Sequence, residues 1–340
     1  MGRTSLDRSG LDRPSLSRGP HVSGSRAVVV GDVIDDIIVV PQGPIRTDTD
    51  TAASITRHPG GSACNTAAWL GALNAPVDLV GRVGVGDADR HANVLRASGV
   101  TAHLSEDATL PTGTIVIVVD GETRTMLTDR GANATLSIMA VTDALLADAA
   151  VLHLTGYSLF DAFSLVDLAA LIERAHGHGV LVTFDPGSIG FIADFGVERF
   201  RTALAGIDVL LPNLDEAQLL VGVHDVAPLG VAEALLTYCP TVVMTSGSAS
   251  VVVAQRGEPT VEVAVHPVRA VDPTGAGDAF TAGFISAILQ SSAVSGADLE
   301  SADLVRADLV QAAREGVRVA ARAVTQQGGR PPSTVPHGTA

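Results

Sequence analysis

The stretch DPTGAGDAF, residues 272 to 280, joins two opposed chemistries. Gly275 and Gly277 let successive backbone N–H groups crowd around an anion, and the apolar residues that follow read as a helix whose N-terminus adds positive potential. Asp278 nevertheless puts a carboxylate at the same spot. A dinucleotide-binding loop would need a third glycine in register and an early place in the domain, and this stretch has neither. A plain structural turn would need no charge there at all.

The elements around this loop follow a regular rhythm. Short apolar runs, AVVVGD at 27–32, VDLVGRVG at 77–84, AVLHLTG at 150–156, VLVTFDP at 180–186, DVLLPN at 208–213 and TVVMTSG at 241–247, alternate with segments of helical period. Several runs end in Gly, Asp or Asn just where a helix can begin. That pattern predicts a doubly wound α/β fold, a mainly parallel sheet with helices on both faces and ligands beyond the carboxyl ends of the strands. Helices are expected in SACNTAAWLGAL, AFSLVDLAALIERAHG and ADLVQAAREGVRVAARAV.

Two stretches break the rhythm. IIVVPQ with TAASITRH, and TGTIVIVVDGETRTMLTD with its turn at Asp120-Gly121, read as antiparallel strands. Lying near 36–58 and 112–130, they predict a small inserted sheet placed as a lid over the ligand edge. Residues 1–25 are rich in Ser, Gly, Pro and Arg with little to bury, so a disordered leader is expected there, and a disordered tail over 329–340. The folded domain is then expected over 26–328.

Composition removes several function classes. A formal charge of −15 argues against a general polyanion binder, because such proteins use a basic stripe to release counterions. All 22 basic residues are Arg, and no Lys occurs. This excludes a Walker A loop, a protein-kinase ATP lysine and every Schiff-base mechanism. Cys64 and Cys239 lie far apart and outside metal-ligand spacing, so both are expected as free thiols in a reducing, cytoplasmic setting. No apolar run of membrane-spanning length and no secretory signal is present, so neither a membrane nor a nucleic acid is an expected partner. The histidines, His58, His103, His153, His176 and His178 among them, share no metal-ligand spacing.

DPTGAGDAFTAGF resembles the C-terminal signature of the ribokinase-like (PfkB-type) sugar and nucleoside kinases, and PGGSACNTAAWLGAL at 59–73 resembles the N-terminal Gly-Gly-x-x-x-Asn motif of that family. The resemblance runs from about Ala27 to Gly328. It implies an ATP-dependent kinase that phosphorylates the primary hydroxyl of a small sugar, a ribose-like sugar first and a nucleoside of adenosine or pseudouridine type as the alternative. A silent relative that only binds sugar or nucleotide is a third reading, against which the intact Asp278 argues. The resemblance makes Asp278 the general base, and the amides of Gly275, Ala276 and Gly277 the anion hole for the transferring phosphoryl group. Phosphoryl transfer needs mostly positioning and charge stabilisation, which suits these assignments.

Further positions carry over in the same way. Asn213 and Glu216 in PNLDEAQLL resemble the Asn-x-x-Glu element that organises Mg²⁺ and phosphates, Glu216 through water; by local chemistry alone they read as an N-capped helix with acidic residues in its first turn. Thr245 and Gly247 in TSGSAS resemble the ATP-phosphate turn, with Ser250 in place of its last glycine. The resemblance also implies sugar-hydroxyl contacts from Asp36, Gly60, Gly61 and Asn65, with Asp32 and Asp35 as strand-end and turn residues. Ser62 stands where ribokinases often have Lys. GANA, at 131–134, resembles the element after the second lid strand, flanked by Arg124 and Arg130, and Asp185 falls after a strand near the ligand edge. A monovalent cation such as K⁺ beside the anion hole and a homodimer joined through the lid are further implications of the resemblance.

Overall fold

The computed structural model describes residues 26–120, 123–159, 162–223, 226–291 and 306–332. The expected leader, the turn residue Gly121 and everything after Pro332 lie outside the described residues. The strands are β1 Arg26–Val30, β2 Ile34–Pro41, β3 Ala53–Gly60, β4 Val77–Gly84, β5 Thr101–Asp107, β6 Gly113–Asp120, β7 Thr123–Asp129, β8 Ala149–Thr155, β9 Leu181–Asp185, β10 Val209–Leu210, β11 Thr241–Thr245, β12 Ser250–Gln255 and β13 Val261–Ala264. The helices are α1 Ser62–Ala72, α2 Ala88–Ala97, α3 Asp143–Ala147, α4 Leu165–Gly177, α5 Ile189–Phe195, α6 Val197–Ala203, α7 Leu214–Val221, α8 Pro228–Leu235, α9 Ala276–Gln290 and α10 Arg306–Val324.

Nine strands form the central sheet in the order β13-β12-β11-β10-β9-β8-β1-β4-β5, parallel from β11 through β5 and closed by the antiparallel pair β12 and β13. Parallel strands need both faces covered, and the alternation along β1 does this: Val29 packs with α1, α9 and α10 on one face, while Val28 and Val30 pack with α3, α4 and α6 to α8 on the other. The expected α/β architecture is the one observed. Strand order reverses direction around β1 and β8, the topological position where such sheets open a crevice.

The second sheet has the order β3-β2-β6-β7 and comes from the two stretches expected to form a lid. Its hinge is specific. Asn133, in the GANA turn, accepts from Val33 N at 2.8 Å and donates back to Val33 O at 2.9 Å, which ties the lid's exit from β1 to the turn that follows β7. Among the described residues no helix is long and apolar enough to cross a membrane.

Candidate active site

Four strand ends and two helix starts converge beneath the lid. Asp32 follows β1, Asp185 closes β9, Asn213 follows β10 and Thr245 ends β11, while α1 and α9 point their N-termini at the same cleft. The cleft has a volume of about 480 Å³, and every expected site residue except Gly60 and Gly247 lines it. Gly60 stands directly behind Asp36, where a Cβ would lie 2.1 Å from the carboxylate. Asp36 reaches the cleft only because that position carries no side chain.

Asp278 sits in the first turn of α9. Its Oδ1 accepts from the Ser62 hydroxyl at 2.7 Å and its Oδ2 from Asn65 Nδ2 at 2.9 Å, both groups presented by α1. Burial pushes its pKa up to about 6, while the bonds from Asn65 and Ser62 favour the ionised form. A carboxylate in that range takes and returns a proton near neutral pH.

The glycine loop before it is built from conformation and space together. Gly275 has φ +72°, and a Cβ there would lie 2.5 Å from the Gly329 Cα. The Ala276 N–H donates to Pro273 O at 3.2 Å, so of the three amides expected in the anion hole it is the one already engaged. No side chain or backbone atom stands within 4 Å of a Cβ built on Gly277, which leaves open space at the helix start.

Asn213 and Glu216 combine the two roles read from the sequence. They form a reciprocal capping box, Glu216 N to Asn213 Oδ1 at 2.9 Å and Asn213 N to Glu216 Oε2 at 3.0 Å. Glu216 is nevertheless buried and lines the cleft, where burial, opposed by the bonds from Asn213, raises its pKa to about 7. Asp185 is raised well above the ordinary range by burial and then by the charges of Glu216 and Asp278. Asp36 is lifted to about 7, by burial first, with Arg330 opposing.

Several residues matter that local reasoning missed. Asp32, expected as a strand-end residue, caps α1 from a distance by accepting from Ser62 N at 3.0 Å and Ala63 N at 3.4 Å, and it also lines the cleft. Asp35 does not face the cleft and pairs with Arg90 at 2.7 Å. Arg124 crosses from the lid to the glycine loop, where it bonds the Thr274 hydroxyl and, at 2.8 Å, Asp272. Gly329 and Arg330, at the start of the expected tail, have partners on α1 and β3. Trp69 Nε1 donates to Gly329 O at 2.9 Å and Arg330 reaches Asn65 and Gly60, so the chain stays packed through this point because α1 supplies polar partners for it. Cys64 and Cys239 are buried free thiols, and His153 is a core residue bonded to Thr183.

A second cavity, also of about 480 Å³, lies on the far side of the loop. Its walls are mainly apolar, with Val251, Val265, Val268, Ala320 and Val324, and Gly247, φ +57°, lines it with Ser248. The two cavities share Thr245, Pro273, Ala276, Gly277 and Phe280. One loop therefore divides a carboxylate-rich pocket from an apolar groove.

These observations place a carboxylate-rich cleft and an adjoining apolar groove at the carboxyl ends of a parallel sheet, under a β-sheet lid. The chain belongs to the pfkB family of carbohydrate kinases, whose model matches residues 25–336. It is 28% identical over 313 residues to the ribokinase of Haemophilus influenzae, covering 89% of this chain and 92% of that one. It is 28% identical over 274 residues to the bifunctional protein HldE of Pseudomonas fluorescens, covering 76% of this chain but only 54% of HldE. Among solved structures, the adenosine kinase of Sinorhizobium meliloti superposes with a TM-score of 0.74 at 24% identity, covering 90% of this chain and 95% of that one. The protein is a sugar or nucleoside kinase.

Proposed function

We propose that the chain transfers the γ-phosphoryl group of ATP to the primary hydroxyl of a ribose-like sugar, with Asp278 as general base. The observation that carries this reading is the position of Asp278 in the cleft, directly after Ala276 and Gly277, which line both cavities, with its carboxylate held by Ser62 and Asn65. The acceptor hydroxyl gives its proton to Asp278 as its oxygen attacks the phosphorus. The amides of Gly275 and Gly277 then face the oxygens of the transferring group. The opposed signs in DPTGAGDAF serve two partners, since the amides meet the phosphoryl oxygens and the carboxylate meets the hydroxyl.

The sugar is assigned to the carboxylate-rich cleft, where Asp36 and Asp32 accept hydroxyl hydrogen bonds, beside Gly60, Gly61 and Asn65. The apolar groove suits a nucleobase, with Thr245 and Gly247 at the phosphate end. Asn213 and Glu216 stand between the two. The residues present fit Mg²⁺: Glu216 and Asp185 are two buried carboxylates that repel each other, and such a pair with phosphate oxygens is an ordinary magnesium donor set. When bound, the ion neutralises charge on the phosphates. Beside the loop, Asp272 accepts from Thr274 N, Gly328 N and Arg124. No step is assigned to a monovalent cation.

An ADP-release assay over pentoses, hexoses and nucleosides, with Asp278→Asn as control, tests the reading. It fails if Asp278→Asn keeps full kcat on the acceptor that turns over. A nucleoside acceptor is the second reading, favoured by the apolar lid wall of Ile115, Ile117 and Met126 opposite the aromatic pair Tyr157 and Phe191, whose centroids are 5.5 Å apart. Higher kcat/KM for adenosine than for D-ribose selects it.

The lid's outer face carries Ile55 and Leu127, 62% and 60% exposed, in register with Val39 and Val116. We propose that a second copy covers this apolar face. Light scattering after Leu127→Asp then reports a smaller mass than for the parent chain, and equal masses refute the arrangement.

A further inference from the structure

We infer that Arg330 is a positioning residue of the phosphoryl-transfer site, whose guanidinium fixes the Asn65 amide so that Nδ2 faces Asp278. The inference rests on the reading of Asp278 as the base. Arg330 lies 265 positions from Asn65 in sequence, and its Nε donates to Asn65 Oδ1 at 3.3 Å while Nη2 donates to Gly60 O at 3.2 Å. An amide held at its oxygen by a cation has one orientation left: the nitrogen must turn the other way, and there it meets Asp278 Oδ2 at 2.9 Å. Without the guanidinium, the amide loses the contact that distinguishes its two ends.

The segment that delivers Arg330 is itself anchored to the reacting loop. Gly328 N donates to Asp272 at 3.0 Å, Gly329 packs against Gly275, and Gly329 O accepts from Trp69 on α1. Gln326 Nε2 donates to Arg330 O at 3.1 Å and closes the turn. These contacts join the glycine loop to the start of α1, the two elements between which Asp278 is held. Arg330 also supplies positive charge where the cleft is most acidic. Asp32, Asp36, Asp185 and Glu216 face Asp278 from β1, β2, β9 and α7, with Arg130 and Arg330 as the opposing cations. The Arg330 charge favours the ionised forms of both Asp36 and Asp278.

Fork geometry and charge separate in two variants. Arg330→Gln retains a donor for Asn65 without the charge, and Arg330→Lys retains the charge without the fork. The full chain, free of substrate, is titrated by carbon-detected NMR, with the Asp278 carboxyl signal assigned by its loss in Asp278→Asn. The Asp278 midpoint is expected to rise in both, because Arg330→Gln removes the charge and Arg330→Lys releases the Asn65 amide whose bond favours the ionised carboxylate. ADP release with magnesium-ATP and D-ribose or adenosine is expected to lose about 10- to 100-fold in kcat for Arg330→Lys, with the KM for ATP unchanged. Melting temperatures identify a variant that fails to fold. A kcat and an Asp278 midpoint that both stay at the parent values in folded Arg330→Lys overturn the inference. A fully active Asp278→Asn enzyme overturns the general-base reading instead, so the two failures differ.

Discussion

The acceptor cleft and the apolar groove have the same volume, about 480 Å³, and opposite chemistry. The cleft gathers Asp32, Asp36, Asp185, Glu216 and Asp278, several of them held far above the ordinary carboxylate range by burial. The groove offers valine, alanine and proline walls. Burying like charges costs free energy, and a fold retains them where a ligand or ion supplies the missing partners. An apolar groove stores no such strain. The cleft is accordingly the half where single atoms decide the reaction, and the groove the half where shape and contact area decide affinity.

The comparison breaks most readily at Asp278. Asp278→Asn is expected to lower kcat by about 10²–10⁴-fold while leaving the KM for ATP near its starting value, as measured by steady-state kinetics. Next comes the glycine loop. In Gly275→Ala the added methyl meets the Gly329 backbone and forces an unfavourable left-handed residue, so a loss of about 1–3 kcal/mol in denaturant unfolding is expected, with slower turnover. A matched pair separates the halves. Asp36→Asn should raise the acceptor KM about 5- to 150-fold, the equivalent of an unmet polar contact of about 1–3 kcal/mol, and Ala320→Leu in the groove should raise only the ATP KM, by several-fold.

The smallest effect is on stability against pH. Asp36, Asp278 and Glu216 have folded values of about 7, 6 and 7, all above those of the unfolded chain, so the folded state binds more protons than the unfolded one between about pH 4 and 7. Stability of the free protein therefore falls as pH rises through that window. The melting temperature should drop by a few degrees, and Asp278→Asn should flatten part of the drop. A melting temperature that rises steadily from pH 4 to 7 would contradict the assignment of these groups.

The framework of the sheet and part of the cleft were legible in the sequence for different reasons, and the apolar groove was not. Strand and helix periods placed β1, β4, β8, β9 and β11 almost to the residue, because a parallel sheet covered on both faces forces continuous apolar runs. Strands β12 and β13 are antiparallel additions at one edge and left no rhythm of that kind. Asp278, Gly275, Asn65 and Glu216 stand in short motifs at helix starts, so a resemblance to known signatures could single them out. Asp32 could not be read in that way, because the helix it caps begins thirty residues later. The Ala276 amide was expected in the anion hole, yet the turn that presents it also gives it Pro273 O as a partner.

By itself, the amino-acid sequence determined the fold class, the lid, the absence of lysine chemistry and the residues carried by two motifs, since periodicity and helix-start spacing are local properties of the chain. Only the tertiary structure decided that Arg330 reaches Asn65, that Arg124 crosses the lid to Asp272, and that the chain stays packed beyond Gly328. Each of those contacts joins residues more than a hundred positions apart, and hydrogen bonds at that range depend on how the sheets and helices pack. No pattern within a few residues of Arg330 records where its guanidinium comes to rest.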